Sequence, residues 1–124
     1  MTDLDRNAPT QDVPVNPETG KPYINTLAAV AISPAGGSPE KSPEVAKVVD
    51  VIRRSGLPSE TNAMFTNIEG DLDEVLHVVA DATRVLAEQG MRTDVVMRLD
   101  IRPGFTGQIK AKQALVNEIL GQEQ

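Results

Sequence analysis

The sequence predicts an α+β sandwich of βαββαβ order: two helices on one face of a four-stranded antiparallel sheet, with an extra C-terminal helix. Three observations predict it. Apolar runs of strand length alternate with stretches whose apolar residues recur at helical spacing. The segments 27–64 and 65–102 read as two βαβ-like halves of equal length. Glycines and prolines fall where the elements should stop.

Residues 1–25 are polar and acidic, with Pro9, Pro14, Pro17 and Pro22 spaced through them. Such a segment buries too little apolar surface to offset the entropy of ordering it, so a mobile tail is expected. The folded domain is expected over 26–103. Its first strand, at 27–33, is apolar on both faces, as in a strand covered on both sides. A loop rich in breakers follows, including Gly36-Gly37, which lacks the spacing and the lysine of a P-loop. Ser42 as N-cap and Pro43 at the first helical position open a helix with Val45, Val48, Val49 and Ile52 on one stripe. Gly56 supplies its left-handed stop.

The stretch 58–74 compresses two short strands, a turn and a helix start. Thr66 and Ile68 face one way, Asn67 and Glu69 the other; Gly70 ends the strand, and Asp71 with Glu74 forms a capping-box pattern. The second helix should run from Leu72 to about Gln89. Leu72, Val75, Leu76, Val79, Ala82, Thr83 and Leu86 share its buried face, and His77 lies on the wet one between Asp73 and Asp81. That position suits a solvated histidine better than a catalytic base. From 94 to 101 the pattern alternates: Val95, Met97, Leu99 and Ile101 oppose Val96, Arg98 and Asp100. Pro103-Gly104 ends this strand. The remainder, 104–124, should hold an amphipathic helix whose Ile109, Leu115, Val116, Ile119 and Leu120 need a cover.

This order is the ferredoxin-like arrangement, and it leaves one sheet face open. Because the first strand is apolar on both sides, a homo-oligomer is expected to cover that face. An interface there would enclose Asn67, Glu69, Arg98 and Asp100, and enclosed polar groups need partners or a ligand.

Composition narrows the chemistry. The chain has 124 residues, a net charge of −6, three aromatic side chains (Tyr23, Phe65, Phe105), one histidine and no cysteine. Nucleic acid is an unsuitable partner, since phosphates call for cationic surface and bases for aromatic platforms. Thiol chemistry, disulfides and cysteine or multi-histidine metal sites are excluded. No signal peptide is evident, nor an apolar stretch of the roughly 20 residues that span a bilayer, so a cytoplasmic location is expected.

The chain resembles the small thiamine-binding proteins of ferredoxin-like fold. The resemblance rests on Ser33-Pro34 with its glycine-rich loop, Gly56-Leu57, Met64, Thr66, Ile68-Glu69-Gly70 with Asp-Glu-Val soon after, Arg102, and the spacing of Lys112, Val116 and Leu120. It implies dimers that pair into tetramers, with thiamine or its hydroxymethylpyrimidine moiety held near subunit boundaries. It also implies Asn62, Thr66, Asn67 and Glu69 as ligand contacts, with Ser33 and the Gly36-Gly37 loop behind them. Where relatives tend to carry Pro and Gly around the central Met, this chain has Ala63 and Phe65; Phe65 could stack on a ring or fill the space. Glu69 or Asp100 would offset thiamine's positive charge and accept from its exocyclic amine. The resulting expectation is non-enzymatic binding of thiamine or its precursor, as carrier or sensor, with no metal and no other cofactor. The alternatives are an oligomeric interaction module without a ligand and, last, a dimer-cleft enzyme using Glu69, Asp100 or His77.

Overall fold

A computed structural model describes residues 12–37 and 39–122. The elements follow the expected order: β1 (Asn25–Pro34), α1 (Ser42–Arg54), β2 (Ser59–Thr61), β3 (Thr66–Asp71), α2 (Leu72–Ala87), β4 (Thr93–Ile101) and α3 (Gln108–Gln122). The sheet is antiparallel with order β2-β3-β1-β4, the ferredoxin-like topology.

Register assigns the faces, because residues directly opposite each other point to the same side. Ala28 pairs with Ile68 and with Leu99, and Val30 with Thr66 and with Met97; these point to the face that carries α1 and α2. Leu27 pairs with Glu69 and with Asp100, and Ala29 with Asn67 and with Arg98; these point to the other face. The core lies between sheet and helices: Ala28, Val30, Ile32 and Ile68 from the strands, Val48 and Ile52 from α1, and Val75, Val78, Val79, Ala82 and Leu86 from α2. Of the face expected for α2, Leu76 is exposed and Val78 takes its place in the core.

Three local expectations are corrected. Helix α1 begins one residue earlier than expected: Lys41 is the N-cap, Ser42 lies inside the helix, and no side chain caps it. Gly70 does not end β3; the strand runs through it to Asp71. Glycine stands there because a Cβ would lie 3.1 Å from Leu57 Cδ2, whose side chain closes the core at that point. Asp71 is the N-cap of α2 by position, yet its carboxylate turns away from the helix. It accepts instead from Ile24 N (3.1 Å) and Asn16 Nδ2 (2.9 Å).

The same contact corrects the tail. Between Pro14 and Tyr23 the chain forms a small arch: Val15 bridges Pro22, Tyr23 N donates to Pro14 O (2.7 Å), and Asn16 is buried on Asp71. A short polar segment is ordered here by two buried, satisfied polar groups rather than by apolar area. Expectations for residues 1–11 fall outside the described residues.

Gly70→Ala should destabilise the domain by about 1–3 kcal/mol through overpacking against Leu57. Urea denaturation checks it. Combined with Leu57→Ala, the glycine change should add little, because its clash partner is gone.

Candidate functional site

The seven residues singled out in the sequence fall into three places. Ser33, Asn62, Phe65 and Thr66 line one cavity of about 230 Å³ between α1, the end of β1 and the β2–β3 turn. Glu69 lines a second cavity, of about 380 Å³, with Tyr23, Asn25, Glu60 and the first turn of α3. Asn67 and Asp100 lie on the face turned away from α1 and α2, one on β3 and one on β4.

The first cavity grows out of the hairpin. Asn62 N donates to Phe65 O (2.9 Å), and Asn62 Oδ1 accepts from Met64 N (2.9 Å) and Phe65 N (2.8 Å). This turn chemistry fixes the backbone that carries Phe65. Among the described residues Asn62 Nδ2 has no partner, so that donor stays available. Thr61 and Thr66 share a hydrogen bond between their hydroxyls (3.1 Å), an intact acceptor and donor pair at the cavity wall. Val30, Ile32, Val45 and Val49 supply apolar surface, and no residue of the lining is charged. Thr61, Val45 and Val49 were not foreseen as site residues; their signal is the helical stripe and the Thr-x-x-x-x-Thr spacing across the turn. The chemistry this permits is stacking or edge contact to an uncharged ring with one or two hydrogen bonds.

Glu69 is differently placed from what its residue type suggests. It is 4% exposed, and its carboxylate accepts from Asn25 Nδ2 (2.9 Å), Gln108 N (3.0 Å) and Ile109 N (3.3 Å). The last two are free amides at the start of α3, so Glu69 serves the helix as an anion at its positive end. Asp100 is likewise engaged. Lys112 of α3 donates to it, and the carboxyl is held below its ordinary range by that hydrogen bond and by the charges of Lys112, Arg102 and Arg98, against a smaller opposing effect of burial. Gln113 of α3 donates to Glu60 (3.2 Å), and the Arg102 guanidinium stacks 3.9 Å from the Phe105 ring centre in the preceding loop.

These contacts lay α3 across one end of the face expected to be open. Its far half stands clear: Leu115, Val116, Ile119 and Leu120 are each about half exposed. Burial raises the phenol pKa of Tyr23, and the nearby Glu74, Asp71 and Glu69 carboxylates raise it further. His77 is exposed and faces Asp81 one turn away (3.3 Å). Gly36 and Gly37, both left-handed, line neither cavity; they border a cleft of about 280 Å³ with Lys41 and Arg92. Among the described residues no cluster of His, Asp and Glu suits a metal ion, and no helix is long and apolar enough to cross a membrane.

The comparisons with known proteins agree with this architecture. The sequence model described as "Thiamine-binding protein" matches residues 28–117, and the chain belongs to that family. A UPF0045 protein of Mycobacterium tuberculosis is 38% identical over 98 residues, covering 78% of this chain and 96% of its own. The solved structure of a hypothetical protein from Methanocaldococcus jannaschii is 34% identical with a TM-score of 0.67, covering 76% of this chain and 97% of that one. A candidate thiamine biosynthesis/salvage protein from Thermotoga maritima has a TM-score of 0.56 at 22% identity, over 73% and 98% of the two chains; that likeness is one of fold.

Two outcomes follow for the carboxylates. Glu69→Gln should lower the unfolding free energy by about 1–3 kcal/mol and speed amide exchange at Gln108 and Ile109, because one of their acceptors becomes a donor. Unchanged stability and exchange would contradict its role at α3. For Asp100, the folded carboxyl titrates below its ordinary 3.8, so its contribution is present above that value and is lost as pH falls through the folded pKa. Lys112→Met should shift the acid unfolding midpoint of the chain upward, by a small amount since the pair is half exposed.

Proposed function

We propose that the protein binds thiamine or its hydroxymethylpyrimidine moiety without transforming it, as a cytoplasmic carrier or sensor that works as a homo-oligomer with the ligand near a subunit boundary. The observation that carries this reading is the uncharged cavity under the β2–β3 turn, in a chain whose family is described by thiamine binding. An aminopyrimidine is a flat, neutral ring with donors and acceptors on its rim. Phe65 offers the face on which it stacks, Asn62 Nδ2 a donor to a ring nitrogen, and the Thr61–Thr66 hydroxyl pair the remaining polar contacts, with Ser33 of β1 behind them. Thiamine's cationic ring then lies outside the cavity, where the chain's net charge of −6 favours it. Glu69 and Asp100 are engaged with α3 and lie outside this cavity. No nucleophile paired with a base lies among the cavity residues, which supports binding without turnover.

A second reading, an interaction module with no small ligand, is favoured by the exposed apolar stripe of α3. The two separate in one titration. Isothermal calorimetry with thiamine, thiamine phosphate and the free pyrimidine should give saturable heat with thiamine and with the pyrimidine. Phe65→Ala should weaken binding by about 0.5–1.5 kcal/mol, the worth of an aromatic pair. No heat and no thermal shift with any of the three would transfer support to the interaction module.

A further inference from the structure

Met64 is the most exposed large apolar side chain among the described residues, at 74%. It also belongs to the wall of the uncharged cavity, next to Phe65 on the β2–β3 turn. Together these facts place it at the rim, with one side on the cavity and the other in water. Its backbone is fixed: Asn62 Oδ1 accepts from Met64 N (2.9 Å) and from Phe65 N (2.8 Å). The side chain is unbranched and flexible, and a thioether makes favourable contact with an aromatic ring. Exposed as it is, it contributes little to the core, so a change at its sulfur acts at the cavity and leaves the fold intact.

The chain holds four methionines and no cysteine. Reversible oxidation of a sulfur therefore falls to methionine, whose sulfoxide dedicated reductases return to the thioether. Met91 is partly buried against the core, Met97 is 40% exposed on β4, and Met1 lies outside the described residues. The sulfur on the hairpin is the one most open to a peroxide.

We propose that Met64 is an oxidation-sensitive rim residue: conversion of its thioether to the sulfoxide weakens ligand binding in the adjoining cavity. The oxidant is hydrogen peroxide. The sulfur lone pair attacks one peroxide oxygen, the S–O bond forms as the O–O bond breaks, and the departing oxygen takes a proton and leaves as water. The sulfur gives up two electrons and the peroxide gains them. The product is polar and chiral. Val30, Ile32, Val45 and Val49 make much of the cavity wall aliphatic, so a sulfoxide turned inward meets few donors. Turned outward, it gives up its contact with the bound ring. The new oxygen also competes for Asn62 Nδ2, the donor that the same turn offers to the ligand. This inference rests on the thiamine reading of the cavity, since it concerns the regulation of that site.

The test uses the whole chain, with thiamine as the probe. Under limiting hydrogen peroxide, peptide mass spectrometry should find the sulfoxide at Met64 ahead of Met97 and Met91. Saturating thiamine should slow that reaction at Met64 and leave the other two unaffected. By calorimetry the oxidised chain should bind thiamine about two- to tenfold more weakly, the worth of a sulfur–aromatic contact. Methionine sulfoxide reductase with dithiothreitol should restore the affinity, and Met64→Leu should show one affinity before and after peroxide. Oxidation of Met64 no faster than of Met91 would overturn the inference. So would a Met64→Leu chain that still loses affinity on oxidation. A reduced chain that binds no thiamine overturns the function proposed above and this inference with it; normal binding that ignores peroxide overturns this inference alone.

Discussion

The buried carboxylate of Glu69 is the interaction on which the arrangement of this molecule depends. It joins three separate parts of the chain: β3, which carries it; Asn25 at the start of β1; and the first amides of α3. A buried charge is tolerated only when its lone pairs are used, and the partners here are the amides that a helix leaves free at its start. Asp71, two residues on, repeats the device with Asn16 and Ile24 and so orders the N-terminal arch. Two acids on one strand therefore tie both ends of the described chain to the sheet.

This use of charge separates structure from ligand chemistry. The acids near α3 have partners within the protomer, while the cavity at the opposite end of β3 is uncharged. A ligand read at that cavity is recognised by shape, ring stacking and neutral hydrogen bonds, with the net negative charge acting over a longer range. Exposed apolar side chains lie on the far half of α3 and the outer edge of β4, and Met64 adds another at the rim of the cavity.

Most of the fold was legible in the sequence because it rests on local periodicity. The period-two pattern of β4, the apolar run of β1 and the stripes of α1 and α2 each mark an element, and two equal halves mark the topology. What was not legible depends on partners distant in sequence. Asp71 looks like a helix cap, but an asparagine 55 residues away takes its carboxylate. Glu69 looks like a ligand acid until the amides of Gln108 and Ile109 are found on it. Gly70 looks like a strand end, whereas Leu57 is what requires it. Ser33, Asn62, Phe65 and Thr66 do come together, since three of them belong to one hairpin and the fourth ends the strand beside it.

Amide hydrogen exchange with and without saturating thiamine tests the central claim most directly, because it separates the two cavities within one experiment. The account predicts slower exchange at the β2–β3 turn, residues 61–66, and at the end of β1, with little change at Gln108 and Ile109. Protection centred on the first turn of α3 and on Tyr23 would contradict it, assigning the ligand to the carboxylates instead.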